Sequence, residues 1–147
     1  MDRRDIAKNF FHTGGNCAQS VLAAFSTEFG VDNETAFRVA RGFGSGMATG
    51  GVCGAVTGGV MTIGLSTGLN VENAPAKQEA YRLAKEFVRR FEARFGSTCC
   101  MTLIGCDVSE PEIATYARER GLFVSVCTPL VTGAVEILED LLSRQGR

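Results

Sequence analysis

Six cysteines and a single histidine are the residues of this 147-residue chain best suited to moving electrons or holding a metal. The sulfurs recur in one kind of setting. Cys17 follows Gly14-Gly15-Asn16, Cys53 follows Gly50-Gly51, and Cys99 and Cys100 follow Gly96-Ser97-Thr98. Cys127 directly precedes Thr128-Pro129. Each reads as a helix start, a break or capping residue ahead of a helical run. The first N–H groups of a helix lack partners, and the macrodipole places about half a positive charge there. In such a field a cysteine pKa can fall from about 8.5 to about 3.5–7.5. The resulting thiolate is both nucleophile and metal ligand. Gly51 and Gly54, beside Cys53, remove side chains that would shield the sulfur, and are read as cofactor-binding positions. The competing reading is that each cysteine is a small apolar filler of the core.

The elements that must position these residues follow helical period. Helices are expected at 4–11, 16–29, from Asp32 or Asn33 to Gly42, and at 98–104. The clearest runs from Pro75 to Phe95, with Ala80, Ala84, Phe87, Phe91 and Phe95 on one stripe and Gly96 as its stop. Another follows Ser109 as N-cap with Pro111 just inside, and the last opens at Thr128-Pro129. Only 121–127, GLFVSVC, hints at strand alternation. The expected fold is all-α, a compact helical bundle in a single domain over 1–147, around a central glycine-rich buried helix. Gly46, Gly50, Gly54 and Gly58 fall four apart, as do Gly51, Ala55 and Gly59, so both sets would form smooth stripes against neighbouring backbones.

Residues 42–71 carry no charge, but ten of the thirty are glycine. A membrane span needs about 20 mostly apolar residues in a row, so a buried core helix is expected and no transmembrane segment. The net charge is −1, with 21% charged residues, so no global field favours nucleic acid. The N-terminus lacks the apolar core of a signal peptide, and the cysteines are therefore expected to be reduced thiols in the cytoplasm. No pair has CxxC spacing, so any site must be assembled from distant segments.

GGNCAQSVL around Cys17, GVCGAVTGG around Cys53, CMTLIG from Cys100 and CTPLVTGAVEIL from Cys127 together resemble the C_GCAxxG_C_C family of redox-active proteins. The resemblance spans nearly the whole chain. It implies a redox-active or metal-binding protein and carries over Cys17, Cys53, Cys100 and Cys127. Cys100 is preferred to Cys99 because the family spacing ends at Gly105; Cys99 and Cys106 are extras.

Three functions stay open. The first is electron transfer through an iron–sulfur cluster or other metal bound by Cys17, Cys53, Cys100 and Cys127, ranked first because four dispersed thiols suit a cluster. The second is metal-free thiol–disulfide exchange, and the third a structural zinc site. A redox partner protein or small thiol is implied, and a homo-oligomer is open. His12 is read as structural before catalytic. Asp107, Glu110 and Glu112 are read as capping residues, and the basic side of the long helix as a solvated, ion-paired face.

Overall fold

The computed structural model describes residues 1–69, 72 and 74–143. Eight α-helices are present among them: α1 (Arg3–His12), α2 (Cys17–Ser26), α3 (Asn33–Ala40), α4 (Gly54–Ser66), α5 (Ala74–Phe95), α6 (Cys100–Ile104), α7 (Pro111–Glu119) and α8 (Thr128–Ser143). No strand is present among the described residues, and the fold is all-α as expected. The one extended contact is an isolated antiparallel bridge between Val52 and Cys99.

The helix starts have local causes. The Asp2 and Asp32 carboxylates accept the N–H groups of Asp5 (2.9 Å) and Thr35 (2.7 Å). Asn16 and Gln19 form a reciprocal capping box at α2: the Asn16 side chain accepts the Gln19 N–H at 2.8 Å, and Gln19 accepts the Asn16 N–H at 2.9 Å. Pro111 opens α7 as expected, but its N-cap is Glu110. Ser109 instead turns its hydroxyl and N–H to the Asp107 carboxylate.

Packing centres on α4, which lies on α2, α5 and α8. A Cβ on Gly54 would meet the Ala18 nitrogen at 2.9 Å, and one on Gly58 the Ala18 oxygen at 2.7 Å, so α2 and α4 touch backbone to backbone. Gly59 leaves room for Phe87 of α5, as Gly133 of α8 does for Phe95. Phe25, Phe87, Phe91 and Leu138 fill the main core. Arg90 and Arg94 of α5 reach Asp140 (2.7 Å) and Glu136 (3.0 Å) of α8, while Arg82 and Arg89 pair with Glu79 and Glu86 on α5 itself. The long helix thus has the expected ion-paired face, with two arginines bridging to a neighbour.

Three expectations about elements need correction. Gly46 and Gly50 do not extend the α4 stripe. They belong to a turn at 46–50 in which both have positive φ, together with Ser45, Met47 and Ala48 at 53°, 58° and 61°. Their spacing matched a helix, but glycine also serves left-handed backbone, and here that use prevails. The α4 helix is not buried on every side: Val60 and Gly64 reach solvent. GLFVSVC is not extended. Residues Phe123–Cys127 form a wide π turn running directly into α8, with Thr128 already helical at φ −57° and ψ −48°. Pro129 has no N–H to donate and its ring would crowd the carbonyl four residues back, which the widened turn relieves.

No single helix among the described residues is long and apolar enough to cross a membrane. The last two residues of the uncharged run 42–71 lie outside the described residues.

Candidate functional site

The four motif cysteines are carried by four separate segments. Cys17 is the first residue of α2. Cys53 is the N-cap of α4, and Cys100 the first residue of α6 with Cys99 as its N-cap. Cys127 ends the π turn ahead of α8. Backbone pairing brings two of these segments together: the Cys53 N–H donates to the Thr98 carbonyl at 2.8 Å, and the Cys100 N–H to the Gly51 carbonyl at 2.6 Å. This short ladder gives no alternation in sequence, and helical period did not reveal it.

All four sulfur-bearing residues line one cavity of about 580 Å³. Gly54 also lines it, whereas Gly51 does not. The room the missing Gly54 side chain would take is occupied by the Cys17 Cβ at 3.0 Å and by the Ala18 backbone. Gly51 acts through its backbone, accepting from Cys100 and donating to the Gly46 carbonyl at 2.9 Å. Phe11, Leu103, Ile104 and Leu130 supply apolar wall, and His12, Gly14, Arg118 and Val124 form an exposed rim.

The electrostatics set burial against the helix-end field at these sulfurs. Burial pushes the Cys53 thiol from the ordinary 9.0 to about 11, although the Ala55 and Val56 amides at the start of α4 oppose it. Burial likewise pushes Cys100 to about 12, assisted by the neighbouring sulfurs. A helix end supplies about 0.3–2 kcal/mol, while desolvation of a fully buried group can move a pKa by about 3–5 units. Burial wins at both positions.

Cys17 and Cys127 behave as a pair. Interaction with the Cys127 thiol raises Cys17 well above the ordinary thiol range, with burial adding to the rise. The same interaction lowers Cys127 against the opposing effect of burial. Cys127 owes this to Cys17 and not to a helix start, since the chain is already helical on both sides of it. Cys17 is half-buried and Cys127 is 3% exposed.

The remaining candidates lie outside the pair. Cys99 is half-buried with its sulfur 3.5 Å from the Gly50 carbonyl, and the Thr102 N–H and hydroxyl lower its pKa. Neither Cys99 nor Cys106 lines the cavity. His12 holds its Nε2 3.0 Å from the Thr128 hydroxyl, tying α1 to the residue after Cys127. Arg118, on the cavity rim, was not singled out from sequence; nothing in the period or caps of α7 distinguishes it.

Among the described residues, no three His, Cys, Asp or Glu side chains are arranged to hold a metal ion. A metal or cluster held there would take Cys17, Cys53, Cys100 and Cys127 as its ligands and displace their protons.

An all-α fold that gathers cysteines from separate segments into one cavity defines a small helical thiol protein. A family model described as "Putative redox-active protein (C_GCAxxG_C_C)" matches residues 15–141, and the chain belongs to that family. No curated protein and no solved structure matches it.

Proposed function

We propose that the protein is a thiol–disulfide oxidoreductase whose working pair is Cys17 and Cys127. The observation that carries this reading is that Cys17 and Cys127, whose thiols interact, line one cavity with an exposed rim. The sulfur whose pKa is lowered is the better nucleophile, and the other is the thiol that resolves the mixed disulfide. In the oxidising direction the Cys127 thiolate attacks one sulfur of a small disulfide, and the first thiolate departs and takes up a proton. The Cys17 thiol then loses its proton as its sulfur closes on Cys127, releasing the second thiolate. Two protein thiols become one disulfide, and one substrate disulfide becomes two thiols. Excess small thiol runs the steps backwards. A reducing cytoplasm, where such thiols abound, is the compartment that suits this cycle.

Cys53 and Cys100, held protonated, are poor first nucleophiles and serve as walls to the pair. The test is oxidation of the reduced protein by a small disulfide, followed by mass mapping of cross-linked peptides and metal analysis after anaerobic purification. The expected result is a reversible Cys17–Cys127 bond, lost in Cys17→Ser and Cys127→Ser, with no stoichiometric metal. Bonds only among other cysteines, or iron or zinc at one or more per chain held by Cys17 and Cys127, would overturn the reading.

A further inference from the structure

We infer that the cavity takes disulfides bearing carboxylate groups, and that Arg118 is the side chain that receives them. This deepens the dithiol reading and rests on it. A volume of about 580 Å³ is that of a small-molecule site and too small for a folded partner. Among the described residues lining it, Arg118 alone carries a permanent charge, and no carboxylate faces it there.

Arg3, Arg4, Arg82, Arg89, Arg90 and Arg94 each hold a carboxylate partner. Arg118, like Arg38, Arg41 and Arg120, has no such ion pair among the described residues, and of these four it alone lines the cavity. Its guanidinium lies 5.8 Å from the ring centre of Phe123, another wall of the cavity, and the residue is exposed. A planar fork supported by an aromatic ring at an apolar opening suits the two-point grip that guanidinium gives a carboxylate.

The chemistry gives this cation a task. The attacking sulfur is negative, so an anionic disulfide approaching it is repelled unless a positive group meets its carboxylate at the rim. In the exchange, the Cys127 thiolate displaces one carboxylate-bearing thiolate, which is protonated as it leaves. The Cys17 sulfur, giving up its proton, displaces the second. The protein dithiol is oxidised and the anionic disulfide is reduced to two thiols. Arg118 binds and does not react. The competing account is that Arg118, in the last turn of α7, only complements the negative end of that helix.

The experiment compares the rate of Cys17–Cys127 bond formation with glutathione disulfide, which is net anionic, and with neutral 2-hydroxyethyl disulfide. Each rate is normalised to that of a free model thiol. In Arg118→Gln the ratio of anionic to neutral rate is expected to fall about tenfold, the loss of a charged hydrogen-bond contact. The loss should appear in the half-saturating concentration of glutathione disulfide, be partly restored in Arg118→Lys, and shrink with added salt in the native protein. Arg120→Gln, whose guanidinium stacks on Tyr116 away from the cavity, should keep the native ratio. An unchanged ratio in Arg118→Gln, or an equal fall in Arg120→Gln, overturns the inference while leaving the dithiol reading intact. Failure of both disulfides to join Cys17 to Cys127 overturns the two together.

Discussion

Gly58 and Gly64 sit in one helix and should respond to the same substitution with opposite signs. A methyl group on Gly58 would press on the backbone of Ala18, whereas at Gly64 it meets nothing within 4 Å. Alanine gains about 1 kcal/mol over glycine in a helix interior, and overpacking costs about 1–3 kcal/mol. Gly64→Ala is therefore expected to stabilise the protein by about 0.5–1 kcal/mol. Gly58→Ala should destabilise it by a net of up to about 2 kcal/mol, and Gly54→Ala should do likewise while displacing Cys17. Chemical denaturation of the variants reads the sign directly. A stabilised Gly58→Ala would mean that α2 and α4 are not in backbone contact. Of the glycines around Cys53, Gly54 is thus explained by the approach of a helix and not by access to a sulfur. The sequence reading anticipated the former role; of the two glycines read as cofactor-binding, Gly54 lines the cavity and Gly51 does not.

At the scale of elements, the helices were legible where stripe and stop signal agreed, as in α5 with its phenylalanines and Gly96. They were illegible where one local signal serves two structures. Thr128-Pro129 is the ordinary opening of a helix, yet a π turn ahead of it lets the helix run through the proline. The site depends on both kinds of element. Asn16 is the N-cap of α2, and its amide also donates to the Arg41 carbonyl at 3.0 Å, fixing the start of α2 beside the segment before the left-handed turn. Asn16→Ala should cost about 1–2 kcal/mol and leave Cys17 less firmly placed. The expected readings are a lower denaturation midpoint and faster alkylation of Cys17. An unchanged midpoint with unchanged labelling would show that the cap does not hold the site.

The whole molecule carries a signature in pH. Glu86 is lowered from 4.5 to about 2 by Arg89 first and then Arg90. Its contribution is present above the unfolded value and lost as pH falls from 4.5 towards 2. Cys53 and Cys100 are raised from 9.0 to about 11 and about 12, so above pH 9 the unfolded chain loses protons that the folded chain keeps. Stability should therefore decline as pH rises from 9 to about 12. Urea midpoints measured from pH 3 to 11 should show a plateau bounded by both declines. A midpoint that climbs above pH 9 would place thiolates, not thiols, at Cys53 and Cys100. This is also where sequence reading reached its limit. It could gather the cysteines by motif, but the balance of burial against helix-end field depends on how deep the fold sets each sulfur. The unpaired state of Arg118 likewise depends on which carboxylates the tertiary fold withholds.

The two sulfurs of the proposed pair lie about 110 residues apart, a separation whose closure is worth about 4–5 kcal/mol in chain entropy. A bond between them would shackle α2 to the start of α8 and so tie most of the polypeptide into one ring. Each redox event would then be felt far from the cavity, as a change in how readily the bundle frays, admits a protease or is drawn through a pore. The electron count of two sulfurs would be written into the mechanical durability of the chain.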